Sequence, residues 1–387
     1  MYKFTTLTAL CSVALAARPF LNEPDTGIEL ILGTDNLTTL PPLSNVVGLP
    51  DFDFIARQHL APENYTYYRN GAAGEWSYRN NLEVFQRVTS RPRVLVNVSQ
   101  VSTTLGTTIL GQNFSAPFFI CPCARGEVGN VNGELGLVQG AADGDILYIP
   151  SGYSSTPLGE LAAARVANGS YEQTMWQQTY LTSNDTETQI YFDEIAAGGF
   201  SAIVFTIDSA AAGVRHRADR FGAGSVNTAF DGFTWEYYEK LKTMTKLPIV
   251  LKGIQTVEDA LLAVEHGAPA IVLSNHGGRN LDTSPSSLEI AYEIHEQAPQ
   301  VFNQTEVLAD GGVRYGSDVL KLMALGVKAV GLGRPFMYAN IYGTEGVRHA
   351  IERLKFEVMN DAAHLGLQDI HDVSMKHFKW APNFWYS

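Results

Sequence analysis

The stretch AIVLSNHGGRNLD, residues 270–282, joins an apolar run to a loop that is dense in reactive side chains. Its first four residues are apolar and two of them are β-branched, which is typical of a parallel strand covered on both faces. Ser274, His276 and Arg279 follow at the carboxyl end of this predicted strand. In an α/β barrel the loops at that end converge on one mouth and carry the chemistry. A loop with solvated side chains is the alternative, but a base and a guanidinium separated by two glycines favour a functional site.

Segments of the same kind recur on both sides of this stretch and alternate with segments of helical spacing. Helical patterns occupy residues 133–142, 256–266 and 316–325, each long enough for a right-handed crossover. Eight strand–helix units over roughly 250 residues indicate an α/β fold of the TIM (β/α)8 type. The predicted strands are residues 117–124, 146–151, 173–180, 202–208, 248–253, 270–276, 306–312 and 329–335.

The carboxyl ends of all eight predicted strands carry polar or small residues, which the barrel interpretation requires of its mouth. These residues are Cys123, Ala124, Ser151, Gln178, Tyr180, Thr206, Asp208, Lys252, Ser274, His276, Asp310, Gly333 and Arg334. The predictions of a barrel and of a site therefore support each other. Lys252 ends a wholly apolar segment, and burying it would be costly without an anionic partner.

The chain of 387 residues divides into three predicted segments. Residues 1–17 are a predicted signal peptide, residues 18–115 an N-terminal extension that covers the barrel, and residues 116–387 the barrel with a C-terminal tail. Within the extension, residues 18–50 look irregular, residues 51–60 and 75–87 have helical spacing, and short strands are predicted at 94–98 and 107–110.

The first segment combines Lys3, an apolar stretch at residues 4–14 and the small-residue pattern Ala14-Leu15-Ala16, as signal peptides do. A frayed N-terminal helix is the alternative. Seven Asn-X-Ser/Thr sequons, where composition would supply roughly two or three, favour secretion and N-glycosylation. The sequons begin at Asn36, Asn64, Asn97, Asn113, Asn168, Asn184 and Asn303.

A net charge of −13 argues against nucleic acid and against an anionic membrane as partners, because both would repel the chain. Cys11 lies in the predicted signal peptide, which leaves Cys121 and Cys123. Two residues apart on a strand, their Cα atoms lie at the long limit for a disulfide, so we expect buried free thiols. No metal site is predicted.

Two glycine-rich segments follow the seventh and eighth predicted strands. They are Asp310-Gly311-Gly312-Val313-Arg314 and Gly331-Leu332-Gly333-Arg334. Glycines let backbone N–H groups approach an anion closely, and barrels bind phosphate at this place. Tight turns are the alternative, but an arginine after each segment favours phosphate.

SNHGGR, at residues 274–279, resembles the signature of the FMN-dependent 2-hydroxy acid oxidases and dehydrogenases, as does YTYYRNG at residues 65–71. The resemblance extends from about Tyr65 to about His371. It implies one FMN-binding domain at about residues 45–380, a homotetramer, and oxidation of a small L-2-hydroxy acid to the 2-oxo acid. O₂ is the favoured acceptor, giving H₂O₂, since no haem domain precedes Tyr65 and residues 215–235 look shortened. A dehydrogenase, a monooxygenase, a non-catalytic flavin binder and another phosphate-binding barrel stay open.

The resemblance also implies roles for single residues. His276 is the expected base, oriented by Asp208, while Tyr180 hydrogen-bonds the substrate oxygen. Tyr67, Arg215 and Arg279 are expected to hold the substrate carboxylate. Tyr153 stands approximately where glycolate oxidases have Trp, and Cys123 where the family commonly has Thr. The expected FMN-binding residues are Pro122, Cys123, Ala124, Ser151, Gln178, Thr206, Lys252, Ser274, Asp310, Gly311, Gly312, Arg314, Gly333 and Arg334.

Overall fold

The computed structural model describes residues 26–169, 171–224 and 232–381, so the predicted signal peptide lies outside the described residues. Fifteen α-helices occur in these ranges. They are α1 Ile28–Leu32, α2 Leu49–His59, α3 Pro62–Tyr68, α4 Trp76–Glu83, α5 Leu135–Asp143, α6 Leu158–Ala164, α7 Asp185–Ala197, α8 His216–Arg220, α9 Trp235–Met244, α10 Val257–Glu265, α11 Ser287–Gln297, α12 Val301–Gln304, α13 Gly316–Ala324, α14 Arg334–Ala339 and α15 Thr344–Leu365.

Thirteen strands occur in the same ranges. They are β1 Val88–Ser90, β2 Thr107–Ile109, β3 Gln112–Phe114, β4 Phe118–Ile120, β5 Ala167–Asn168, β6 Tyr171–Glu172, β7 Gln177–Thr179, β8 Ile203–Thr206, β9 Ile249–Ile254, β10 Ala270–Leu273, β11 Glu306–Asp310, β12 Ala329–Leu332 and β13 Phe378–Trp380.

Seven parallel strands form one sheet in the order β4-β12-β11-β10-β9-β8-β7. The predicted strand at 146–151 closes the ring between β7 and β4, although it is reduced to single bridges from Tyr148 to Ile120 and to Met175. Backbone hydrogen bonds continue on both sides of it, including Ile149 N to the Ile120 carbonyl at 3.1 Å and Gln178 N to the Pro150 carbonyl at 3.0 Å. The prediction of a (β/α)8 barrel is therefore confirmed.

Successive side chains along each strand point alternately into and out of the barrel, so the strands separate two apolar cores. In β8, Val204 points into the barrel, whereas Ile203 and Phe205 pack against the surrounding helices. The interior also holds Phe119, Trp176, Val250, Val272 and Leu308. Because the period is two, Thr206 continues the inward-facing row at the mouth, and the same reasoning applies to Lys252 and Asp310.

The opposite end of the barrel is closed by the antiparallel hairpin of β2 and β3, whose Ile109 and Phe114 join the interior core. This confirms the predicted strand at 107–110. The predicted strand at 94–98 is wrong: Val94 and Leu95 are 82% and 104% exposed, and Leu95 has φ 59°. A left-handed residue interrupts extended backbone, and none of the described strands pairs with this segment.

The N-terminal extension forms a cover over one side of the barrel mouth, which we define as α1 to α4. The predicted helices at 51–60 and 75–87 correspond to α2 and to α4 followed by a 3₁₀ turn at Val84–Arg87. The segment expected to be irregular contains the short helix α1. β1, which follows the cover in the chain, pairs antiparallel with β13 near the C-terminal end of the described residues. No helix in the described part of the chain is long and apolar enough to cross a membrane.

Two glycines allow the cover to pack on the loop after β10. Gly277 and Gly278 have φ 64° and 71°. A Cβ atom on Gly278 would lie 2.6 Å from the backbone nitrogen of Tyr78, closer than any real contact. The Gly278 carbonyl accepts a 2.7 Å hydrogen bond from Ala72 N. The double glycine therefore serves the docking of the cover as well as the turn itself.

We predict that Gly278→Ala destabilises the protein more than Gly267→Ala, a matched control. Gly267 also has a left-handed φ of 66° but nothing within 4 Å of its Cβ position. The control should lose about 1 kcal/mol of unfolding free energy for the backbone conformation alone. Gly278→Ala should lose about 3 kcal/mol, because the clash with Tyr78 adds to that strain. Denaturant unfolding measures both values, and equal losses would show that the cover does not need this close approach.

Candidate active site

A cleft opens at the carboxyl ends of the barrel strands, beside the cover, with about 950 Å³ of free space when its solvent-open mouth is included. Most of the residues predicted from sequence line it. These are Tyr67, Pro122, Cys123, Ala124, Ser151, Tyr153, Tyr180, Arg215, Lys252, His276, Arg279, Asp310, Gly311, Gly312, Arg314, Gly333 and Arg334. Asp208, Gln178, Thr206 and Ser274 lie behind this surface and hold lining residues in place.

The deepest part of the site is a polar layer built from inward-facing residues of adjacent strands. Lys252 on β9 is 5% exposed, and its Nζ lies 3.2 Å from Ser274 Oγ and 3.8 Å from Asp310 Oδ2. Ser274 Oγ donates to Asp310 Oδ1 at 2.6 Å. Burial alone would lower the pKa of Lys252, but the carboxylates of Asp310 and Asp208 raise it above its usual value. The layer therefore presents a buried cation to the cleft.

Gln178 connects three neighbouring segments of the mouth. Its Oε1 accepts hydrogen bonds from Ser151 Oγ at 3.2 Å and from Gly152 N at 3.0 Å. Its Nε2 donates to Thr206 Oγ1 at 2.9 Å. Gln178 and Thr206 thus stiffen the side of the site next to Lys252.

His276 stands over the polar layer in a left-handed conformation with φ 59°. Its Nδ1 lies 2.8 Å from Asp208 Oδ1 and its Nε2 lies 3.3 Å from the Tyr180 hydroxyl. The Asp208 side chain is fully buried, and its Oδ2 has no hydrogen-bond partner in the described part of the chain. A carboxylate on Nδ1 fixes the ring so that Nε2 faces the cleft as the proton acceptor.

The protonation states suit a general base. Burial lowers the pKa of His276 below its usual 6.5, and the carboxylate of Asp208 offsets this only in part. Burial would raise the pKa of Asp208, but His276 in its protonated form, the charge of Lys252 and the hydrogen bond from His276 outweigh burial, so the pKa lies below its usual value. Burial raises the pKa of Tyr180 to about 12, so its phenol stays protonated. At neutral pH the imidazole is therefore neutral beside an ionised carboxylate.

Arg215 and Arg279 face the same cleft from two loops. Arg215 is 7% exposed and donates from Nε to the Arg279 carbonyl at 2.9 Å. Burial and the like charge of Arg279 lower the pKa of Arg215, although a guanidinium stays charged. Arg279 donates to the Tyr67 carbonyl at 3.0 Å, and its buried Nε has no partner within the described ranges. Two cations held close together, one of them with an unused hydrogen-bond donor, favour the binding of an anion between them.

The predicted phosphate segments leave donors free. In the described part of the protein the backbone amides of Gly311, Gly312 and Gly333 donate to no protein acceptor. Arg314 lines the cleft beside them. Arg334 differs from the expectation, since its guanidinium donates to three backbone carbonyls, those of Tyr68 at 2.8 Å, Asn70 at 2.7 Å and Gly277 at 3.1 Å. In this structure Arg334 fastens the cover to the barrel at the edge of the phosphate segments.

The two cysteines are free, as expected, but they differ in position. Cys121 is buried within the barrel, and burial together with Asp310 raises the pKa of its thiol. Cys123 is half-buried, and both cysteines line the cleft. Within the described ranges, no three His, Cys, Asp or Glu side chains are grouped to hold a metal ion.

Sequence reasoning missed Asn280, which joins the base to the arginines. Asn280 Nδ2 donates to the Asp208 carbonyl at 2.8 Å, and its Oδ1 accepts from Arg215 at 3.2 Å. Gly213 lets the backbone of Arg279 and Asn280 come close, because a Cβ at position 213 would lie 2.4 Å from the Arg279 carbonyl oxygen. Asn280 stands directly after SNHGGR, so its place in the sequence was a usable signal.

The residues fit a planar cofactor that carries a phosphate. The free amides and Arg314 would hold the phosphate, and Lys252 would lie against an electron-rich edge of the ring system. The neighbouring half of the cleft, with His276, Arg215 and Arg279, is left for an anionic substrate. This arrangement combines a redox cofactor site with a carboxylate site and a base.

Comparisons with known proteins agree with this reading of the site. A family profile described as FMN-dependent dehydrogenase matches residues 56–231 and 223–380. L-lactate dehydrogenase (cytochrome) of Wickerhamomyces anomalus is 34% identical over 376 residues, which are 91% of this chain and 65% of that protein. The chain thus spans less than two thirds of the length of that relative. L-lactate oxidase of Nostoc sp. is 33% identical over 86% of this chain and 97% of that protein.

Among solved structures, a mutant of flavocytochrome b2 with pyruvate bound superposes with a TM-score of 0.82 at 34% identity. The match covers 91% of this chain and 89% of that chain. Profile, sequence relatives and structure point the same way. The chain belongs to the family of FMN-dependent 2-hydroxy acid oxidases and dehydrogenases, and its cofactor is FMN.

Proposed function

We propose that the protein oxidises a small L-2-hydroxy acid to the 2-oxo acid and that O₂ reoxidises the flavin, giving H₂O₂. The observation that carries the proposal is His276, held by Asp208 at 2.8 Å, in one cleft with Arg215 and Arg279. A site that only binds flavin needs neither a base nor a second set of cations. Each of these groups has a task in removing hydrogen from a hydroxy carboxylate.

The carboxylate of the substrate would lie between Arg215 and Arg279. There it would accept a hydrogen bond from the unused donor of Arg279 and offset the repulsion between the two cations. The oxidation removes two electrons and two protons from the Cα–OH group. FMN, when bound, would accept the two electrons and one of the protons. His276 Nε2 accepts a proton, and the ionised Asp208 stabilises the resulting imidazolium. Tyr180, a donor at neutral pH, hydrogen-bonds the substrate oxygen.

O₂ as acceptor is supported by the oxidase relative, which the chain matches over 97% of its length. Lys252 beneath the cofactor would stabilise negative charge on the reduced flavin whichever acceptor follows. A dehydrogenase is the second candidate, because the relative named L-lactate dehydrogenase (cytochrome) is equally similar in sequence, at 34% identity. The acceptor is therefore the part of the proposal that the first experiment tests.

Secretion with N-linked glycans is the second part of the proposal. Six of the seven sequon asparagines are exposed, whereas Asn64 is half-buried on α3 of the cover. A glycosylated asparagine has to be exposed, because its glycan must extend into solvent. The acidic net charge of −13 is compatible with a soluble extracellular enzyme.

The FMN-loaded protein should form one H₂O₂ for each 2-oxo acid when L-lactate or glycolate is supplied in air. His276→Asn should slow flavin bleaching by at least about a hundredfold, because the base is lost. Arg279→Lys should lower kcat/KM about ten- to a hundredfold, because one charge-assisted hydrogen bond is lost. His295→Asn is the matched control, since His295 lies outside the cleft and contacts the Leu325 carbonyl.

Stopped-flow absorbance and a peroxide assay give both quantities. Bleaching without peroxide would exclude the oxidase and favour the dehydrogenase. Bleaching of His276→Asn at the parental rate would overturn the assignment of the base.

The pH profile of kcat/KM should report the base. The pKa of His276 lies below 6.5, so kcat/KM should be constant near neutral pH and should fall as the pH drops through that lowered pKa. Asp208→Asn removes the carboxylate that raises the pKa of His276, so the acid limb should move to still lower pH while the plateau falls. An acid limb above pH 6.5, or one that Asp208→Asn leaves in place, would contradict this assignment.

Protein recovered from the medium of a secreting eukaryotic host should lose apparent mass on enzymatic deglycosylation. Asn97→Gln should remove one glycan step, because Asn97 is exposed on a loop. Asn64→Gln is the matched control and should leave the mass unchanged, since a glycan there would collide with the packed cover. Retention of the protein inside the host, or a mass that deglycosylation does not change, would rule out secretion with N-linked glycans.

A further inference from the structure

A buried carboxylate outside the cleft joins the cover to the segment that carries Arg215. Glu75, immediately before α4, is 7% exposed. Its Oε1 and Oε2 accept hydrogen bonds from Arg217 Nε at 2.8 Å and from Arg217 Nη2 at 3.1 Å. Arg69 Nη1 donates to Oε2 at 3.2 Å, and Gly71 N donates to Oε1 at 3.2 Å. Arg69 and Gly71 belong to the cover, whereas Arg217 brings α8 of the barrel into the same cluster.

The turn that carries Glu75 is strained. Ala73 and Glu75 have φ 40° and 61°, a left-handed conformation that costs energy in any residue with a Cβ. Such a conformation persists only where the surrounding contacts outweigh its cost. The turn meets the start of α8 twice, through the Glu75 carboxylate and through Ala73 N, which donates to the Val214 carbonyl at 2.8 Å. The strained turn therefore holds the residues on both sides of Arg215, namely Val214 and Arg217.

Arg215 needs this support because the like charge of Arg279 repels it. The Arg215 side chain donates to the Arg279 carbonyl at 2.9 Å and to Asn280 Oδ1 at 3.2 Å. Both acceptors are neutral, so they offset the repulsion less than a carboxylate would. The ion pair of Glu75 and Arg217, two residues further along the chain, holds the backbone of Arg215 in place instead.

We propose that Glu75 and Arg217 are positioning residues for substrate binding, because their ion pair holds Arg215 at the cleft against repulsion from Arg279. The inference rests on the proposed function, in which Arg215 binds the substrate carboxylate. Neither Glu75 nor Arg217 lines the cleft that contains His276. The pair therefore acts on the affinity for the carboxylate and not on the proton transfer to the base.

Arg217 is the member of the pair to replace. Its side chain is 39% exposed, and without it Glu75 keeps its ion pair with Arg69 at 3.2 Å. Arg217→Met therefore leaves the buried carboxylate paired. Arg217→Lys keeps the charge but loses the planar fork that makes two parallel hydrogen bonds. Arg220→Met is the matched control, because Arg220 is exposed on the same helix.

The FMN-loaded variants are titrated with pyruvate, the 2-oxo acid of L-lactate, and are reduced by L-lactate in stopped-flow measurements. Arg217→Met should raise the Kd for pyruvate, and the lactate concentration for half-maximal bleaching, about three- to tenfold, because a partly exposed ion pair is lost. Arg217→Lys should raise both values about twofold, and Arg220→Met should match the parent. The limiting rate of bleaching should change less than about twofold in all three variants, since the base is untouched.

A double-mutant cycle distinguishes positioning from a purely structural role. In the Glu75→Gln background, Arg217→Met should change the pyruvate Kd less than about twofold, because the pair is already broken. A structural role would instead lower the melting temperature and leave the pyruvate Kd unchanged. Should Arg217→Met not fold, the shift expected of Arg217→Lys tests the same contact.

A parental pyruvate Kd in Arg217→Met, or a limiting rate that falls as far as the affinity does, overturns the inference. Failure of every 2-hydroxy acid to bleach the wild-type flavin, L-lactate included, would instead refute the proposed function. The pyruvate titration needs no turnover, so the two failures are distinguishable.

Discussion

The rest of the site depends on the need to stabilise one buried ammonium group, that of Lys252. Lys252 points inward because the alternation of β9 leaves it no other face, and an isolated charge there would be costly. Asp310 lies 3.8 Å away, and Ser274 links the two groups. The cation and its partners therefore come from β9, from the residue that follows β10, and from β11. Closing the barrel is what assembles this layer, so the redox half of the site is a product of the fold rather than of any single loop.

The substrate half depends on the loop after β10, in which nearly every residue has a separate contact. Asn275 exchanges hydrogen bonds with Asn81 of the cover at 2.8 and 2.9 Å, and His276 faces Asp208. Asn280 connects that carboxylate's backbone to Arg215. Asp282 accepts from Gly74 N and Ser77 N at 3.0 and 2.9 Å, which caps the start of α4. One short loop thus fixes the base, an arginine and the cover together.

Much of this was predictable from sequence because it follows from local periodicity. The eight strand segments, the polar residues at their ends and the SNHGGR loop all depend on spacings that a single chain displays. What local spacing could not predict depends on long-range contacts. The segment 94–98 has strand-like composition but pairs with no strand in the described part of the chain. Arg334 lines the cleft as predicted, but its contacts with backbone carbonyls more than fifty residues away could not be foreseen. The second strand keeps its place in the ring although only Tyr148 forms bridges. Asn280 could have been singled out, since it adjoins the signature, but its two partners could not.

The pairing of β1 with β13 has a consequence for how the chain folds. Val88 pairs with Trp380, so the segment that leads from the cover into the barrel is completed by residues about 290 positions later in the sequence. Closing a loop of that length costs conformational entropy, and the folded barrel between the two strands lowers this cost because it holds them side by side. We therefore expect the ladder of β1 and β13 to form late in folding, after the parallel strands have paired.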